Sequence, residues 1–151
     1  ILIGKNTLIT DNPKLNIRLN PLSHIDIYKY VLWGNDPNDI EKYAKKHSEK
    51  LFLTSFDNKL SNVVNINDLT LENLDFYMKN QNINSLLVEG GNYVHKFFIS
   101  SQIYDYFYKF VSENIIIEGL SIDNHILEYL INNLKQIKKI QLKDNSLHIY
   151  N

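Results

Sequence analysis

Cysteine is absent from the 151 residues. That excludes disulfides, thiolate nucleophiles and zinc–thiolate sites together, and it fits a reducing compartment. Arginine is almost absent: Arg18 is the single one in a Lys+Arg total of 16. Against 17 acidic residues this leaves a formal net charge of -1, so the basic excess that nucleic-acid binding requires is missing. Apolar runs stop at strand length and no signal-peptide pattern is read at the start, so the expectation is a cytoplasmic protein with no membrane partner. The 5 histidines never stand at a metal-ligand spacing, and no metal site is expected. Glycine is scarce too, with 5 in the chain, two of them adjacent at Gly90-Gly91.

What is present is a 44% hydrophobic composition, enough for one domain with a packed core. Asn, Ile and Lys are abundant, which looks like codon bias. The chain opens at Ile1-Leu-Ile-Gly4, already inside a strand; the expectation is a single domain over 1–151 cut from a longer protein, its first strand segment missing. A brief helix follows Gly4, then a loop marked by Pro13 and several Asn from Asn12 to Asn20. Tyr28 to Trp33 reads as a strand ending at Gly34, and Pro37 opens a Lys-rich helix to about His47. Leu51 to Thr54 and Val63-Val64 are short strands. Thr70 caps a helix with Leu71, Leu74 and Met78 on one face.

Ser85 to Glu89 reads as a buried strand, and Asn92 to Ile99 as a helix burying Val94, Phe97 and Phe98. Tyr104 to Phe110 alternates in the strand period. Ile126, Leu127, Leu130, Ile131 and Leu134 fit a helix, and Ile137 to Tyr150 a closing hairpin. Alternating strands and helices imply an α/β fold, a mainly parallel sheet with helices on both faces and an antiparallel hairpin at the C-terminus. Ligands of such sheets bind beyond the carboxyl ends of the strands. That places Gly4 to Thr7, the segment from Gly34 and Glu89 to Asn92 on one rim.

Candidate residues follow from that rim. Arg18 is either an ordinary surface arginine or a planar fork for phosphate or carboxylate, a grip Lys cannot supply. Thr7 and Asp11 lie upstream of it, and their plain reading is local backbone capping. Glu89, at the end of a strand that looks buried, needs a partner there or meets a ligand's donors. Gly90-Gly91 is either a tight turn or a bare cradle at a helix N-terminus, where amides and the helix dipole favour an anion. His95 reads as a solvent-facing helix residue. Tyr104, Tyr106, Tyr108 and Phe110 share one strand face, read as core or subunit interface.

Together, these segments resemble a known family. Ile1-Leu-Ile-Gly-Lys-Asn-Thr-Leu-Ile-Thr-Asp-Asn-Pro-Lys-Leu-Asn-Ile-Arg18 is similar to the signature of the riboflavin-biosynthesis pyrimidine reductases, an apolar strand followed by G-x-x-T-x-x-x-D-x-P-x-L-x-x-R. Ile83 to Gly91, ending Leu-Leu-Val-Glu-Gly-Gly, looks like the family's second signature. The resemblance implies a dihydrofolate-reductase-like three-layer sandwich. It also implies NADPH-dependent reduction of 5-amino-6-(5-phosphoribosylamino)uracil to its ribitylamino product. By matching positions, Leu15, Arg18 and Glu89 would touch this phosphorylated pyrimidine. Thr7, Asp11 and the stretch Gly91, Asn92, Tyr93, Val94, His95, Lys96 and Phe97 would hold NADPH.

No catalytic side chain is assigned, because the cofactor carries the hydride. A homodimer through the aromatic strand and a deaminase domain fused upstream are both compatible with the resemblance. The chain departs from the pattern in four places, one of them Asp105-Tyr106, where the family has aspartate-glutamate. A strand bearing Lys and S-x-D-G would precede Ile1, Trp33-Gly34 stands where an Asp-Ser pair is usual, and Glu113 to Gly119 replaces a Pro/Gly-rich loop. These departures keep two alternatives open: a related pteridine or pyrimidine reductase, and a catalytically silent module that binds ligand or holds a dimer.

Overall fold

The computed structural model describes residues 1–22, 25–114 and 121–151. Most of the expected loop from Glu113 to Gly119 lies outside them. The chain divides into two compact units, Ile1–His95 and Lys96–Asn151.

The first unit is built on a parallel sheet of β1 (Leu2–Gly4), β2 (Tyr30–Gly34), β3 (Leu51–Thr54) and β4 (Val63–Asn65), in that spatial order. Alternation sorts the side chains of these strands onto two faces. Ile3, Val31 and Phe52 join Leu8 of α1 (Lys5–Asp11) and Ile40 and Ala44 of α2 (Ile40–Lys46) in one buried cluster. On the opposite face the Tyr30 ring meets Tyr77 of α3 (Leu71–Asn80) edge-on at 6.3 Å. Helices therefore cover both faces, as the near-continuous apolar strands require, because water can reach neither side.

The helix ends follow local chemistry. Thr70 caps α3, its hydroxyl accepting from the Asn73 N–H at 3.2 Å. Asn12 ends α1 in the left-handed conformation, with φ 45°, a role in which Asn is tolerated. The Lys-rich helix begins at Ile40, later than Pro37 suggested, after Asp39 at φ 60°.

The expected buried strand from Ser85 to Glu89 is reduced to a single parallel bridge, Val88 to Leu2. The Leu2 N–H donates to the Leu87 carbonyl and the Glu89 N–H to the Leu2 carbonyl, both at 2.8 Å. The segment lies on an outer edge of β1 and is largely uncovered: Leu87 is 54% exposed and Glu89 is exposed. Its apolar run suggested burial on both faces. An edge position explains the difference, since only one side of the segment has a sheet neighbour.

In the second unit β5 (Phe107–Ser112), β7 (Asn145–Tyr150) and β6 (Gln136–Leu142) form an antiparallel sheet in the order β5-β7-β6. The closing hairpin is thus as expected, and β5 pairs with it instead of extending the parallel sheet. Ile99 of α4 (Asn92–Ser100) packs with Ile126 and Leu130 of α5 (Asn124–Asn133). Ile131, placed on that helix's apolar face by sequence, is 77% exposed. Phe97 and Phe98 are half-buried, and Val94 and Ile99 are the buried positions of α4.

Candidate functional site

Because β1 to β4 and the Val88 bridge all run parallel, their carboxyl ends share one edge of the first unit. Gly4, Gly34, Thr54, Asn65 and Glu89 stand at that edge. The two signature segments converge there. A β-carbon added to Gly90 would lie 3.4 Å from both the Thr7 Oγ1 and the Gly4 backbone nitrogen. Gly90 has φ 148°, a conformation that side chains disfavour. A β-carbon on Gly4 would come within 2.6 Å of Val94 Cγ2, inside contact distance. The end of β1 and the first turn of α4 thus approach as closely as two glycines permit.

Gly91 is different: nothing stands within 4 Å of its β-position. Its carbonyl accepts from the His95 N–H at 3.3 Å and so opens α4. Open space beside a helix N-terminus, with the Thr7 hydroxyl near Gly90, is a donor set suited to anionic oxygens. The His95 ring is half-buried and bonded to the Gly90 carbonyl, not turned to solvent. Burial holds its pKa below the ordinary histidine value, with the Gly90 bond opposing that shift. The imidazole is neutral at pH 7, and its ring N–H steadies the glycine turn.

Sequence reading missed a second group on the same edge. Lys5, directly after Gly4, lies 4.5 Å above the Trp33 ring and donates to Asp36 Oδ2 at 2.6 Å. Trp33 Nε1 donates to the Asp36 carbonyl at 2.8 Å, and the Asn38 N–H to Asp36 Oδ1 at 2.9 Å. The Lys5 hydrogen bond, then the Asn38 N–H, hold the Asp36 carboxyl below the usual carboxylate range. The signal available in sequence was positional: each charge follows a strand-ending glycine by one or two residues.

The other named residues are placed as follows. Asp11 is the exposed last residue of α1. The Leu15 side chain is 8% exposed and packs into the core cluster, on a backbone at φ 52°. Arg18 is exposed and makes no ion pair among the described residues. Among those residues, no described contact joins Arg18 to Glu89 or Thr7. Tyr93 is 68% exposed, Val94 is buried against Gly4, and Asn92 begins α4. Lys96 and Phe97 fall in the second unit, where Lys96 pairs with Asp123 at 2.7 Å.

Tyr106, Tyr108 and Phe110 are each at least half exposed, so they are not core. Tyr104 precedes β5 and shares a 2.8 Å hydroxyl contact with Tyr129. No cluster of three His, Asp or Glu occurs among the described residues. No helix among them is long and apolar enough to cross a membrane.

No family model matches the chain. It is 28% identical over 151 aligned positions to the riboflavin biosynthesis protein RibD of Aquifex aeolicus, covering 92% of this chain and 42% of that protein. A crystal structure from Thermotoga maritima superposes with a TM-score of 0.73 at 21% identity. It is described as a diaminohydroxyphosphoribosylaminopyrimidine deaminase/5-amino-6-(5-phosphoribosylamino)uracil reductase. RibD of Acinetobacter baumannii superposes with a TM-score of 0.70 at 18% identity. Each match covers 99% of this chain, against 44% and 45% of the respective solved chains. The chain thus spans less than half the length of these relatives; it is homologous to RibD, and its α/β fold is that of the matching portion of the RibD structures.

Proposed function

We propose that the chain is an NADPH-dependent reductase unit acting on 5-amino-6-(5-phosphoribosylamino)uracil. One observation carries the reading. Gly4–Thr7 and Glu89–Gly91, more than eighty positions apart in sequence, meet at the carboxyl edge of a parallel sheet, where a β-carbon on Gly90 would lie 3.4 Å from Thr7 Oγ1. Similarity to a RibD protein and to a deaminase/reductase structure supports the choice of chemistry.

The edge fits a dinucleotide. The open position at Gly91, the N-terminal turn of α4 and the Thr7 hydroxyl would hold the diphosphate, with the stretch from Asn92 to His95 lining the remainder. When bound, NADPH supplies the hydride delivered to the sugar C1′. The protein's own task is orientation and charge placement. Arg18 offers a planar fork to the substrate 5′-phosphate. Glu89 accepts from pyrimidine or ribose donors. Leu15, whose side chain is committed to the core, offers its backbone.

The test is NADPH titration of the full-length protein, followed by NADPH oxidation with the phosphoribosylamino substrate. Failure to bind and to oxidise NADPH would sink the reading. Arg18→Lys should raise the substrate KM about tenfold or more while leaving NADPH affinity unchanged, since it removes a bidentate contact. Equal loss of both would refute the phosphate role. A module without turnover is the second reading, favoured by the burial of Leu15 in the core. NADPH binding without oxidation would select it.

A further inference from the structure

At the opposite ends of the strands the first unit holds a chamber of about 420 Å³. Lys29 immediately precedes β2 and Lys50 immediately precedes β3, so the chamber is separated from the glycine edge by the length of a strand, about 15 Å. The loop after α1 borders it with the exposed Lys14, and His47, at the end of α2, lines it as well.

Three lysines and one carboxylate, Glu49, therefore line this space. Burial pushes the Glu49 carboxyl up, but the Lys50 hydrogen bond and positive charge outweigh it and hold the group below the usual carboxylate range. Glu49 is thus ionised and balances one lysine. A second acid, Asp26, is 3.9 Å from Lys29 and almost wholly exposed, so water screens it.

The buried groups make the chamber unusual. Lys50 is 2% exposed, and its ammonium is hydrogen-bonded to Glu49. Only one of its three donors is used there. His47 is 6% exposed, and its Nε2 has no hydrogen-bond partner among the described residues. Positive charge beside the carboxyl ends of α1 and α2 is favourable in itself, but that does not call for an open chamber with an unpartnered imidazole nitrogen.

We propose that this chamber binds a small phosphorylated molecule, its phosphate held by Lys14, Lys29 and Lys50 beside the His47 ring. Lysine acts on phosphate as a point charge, and the chamber volume is that of a small-metabolite site. The site is independent of NADPH and of the reductase reading, because it uses none of the same residues.

The experiment titrates inorganic phosphate and glycerol 3-phosphate into the full chain, observed by two-dimensional NMR of the His47 ring and the Lys50 amide. Saturable shifts at these two positions are expected, with glycerol 3-phosphate tighter than phosphate. Lys14→Ala/Lys29→Ala should weaken binding about tenfold or more, the effect of losing charge-assisted bonds. Arg18→Gln should leave it unchanged, which separates this chamber from any phosphate site at Arg18. Should the double variant not fold, Lys14→Ala alone, at an exposed position, must weaken binding severalfold. Non-saturating shifts, wild-type affinity in the lysine variants, or loss of binding in Arg18→Gln would each overturn the proposal.

Discussion

Single residues carry much of the functional edge, and Gly4 is the sharpest case. Its backbone, at φ -83°, suits any residue; the constraint is the Val94 Cγ2 atom 2.6 Å from its β-position. Gly4→Ala should therefore destabilise the protein by about 1–3 kcal/mol through overpacking. Val94→Ala in the same chain should return most of that loss, a coupling measurable by a urea-denaturation double-mutant cycle. Additive effects would mean that β1 and α4 do not touch as described. Two histidines add a pH dependence. Burial, reinforced at His47 by the Lys50 charge, holds both His47 and His95 below the ordinary histidine value. The unfolded chain protonates them near pH 6.5, so below that pH it binds more protons than the folded state. Their stabilising contribution is complete above pH ~6.5 and is lost as pH falls toward the folded-state values. Urea midpoints measured from pH 7.5 to 5 should fall, and His47→Gln should flatten the slope.

At the scale of elements, legibility followed the strength of local chemistry. The α3 helix was readable because a cap, an apolar stripe and a helix-length window agree: Thr70 caps it, and Leu71, Leu74 and Met78 are buried. Thr70→Ala should cost about 1 kcal/mol, the usual loss of a cap hydroxyl, measured as a lower urea midpoint with an unchanged m-value. The strand Leu51–Thr54 was readable to the residue, since a short apolar run between polar loops admits few registers. Ser85 to Glu89 misled because an apolar run does not say whether a second neighbour lies beyond it; that neighbour is a tertiary fact. Tyr104 to Phe110 reads as core or subunit interface, and the structure removes the core reading. Its period of two was real, with Tyr108 and Phe110 on one face of β5, but that face is exposed. At the edge, the motif residues Thr7 and Gly90 were legible as partners, whereas Lys5, Trp33 and Asp36 were not. Their link is one ring and one carboxylate joined across 31 positions.

The whole molecule distributes its burial unevenly. Among the described residues, the first unit holds nearly all of the fully buried apolar side chains, including Leu2, Ile3, Leu8, Val31, Phe52 and Leu53. In the second unit Ile99, Ile126 and Leu130 are the buried apolar set; β6 is mostly exposed along its length and β7 is largely half-buried. Local opening free energies track buried apolar area, so the two units should not open together. Native-state hydrogen exchange should find the greatest protection at the amides of β2 and β3, near the global unfolding free energy. The α5 and β6 amides should exchange through an opening of lower free energy and smaller denaturant dependence. Addition of NADPH should then raise protection first at the α4 N-terminus and along β1, where Gly91 and Thr7 would meet it. Equal protection of β2 and α5 in the free protein would mean that the two units unfold as one cooperative body.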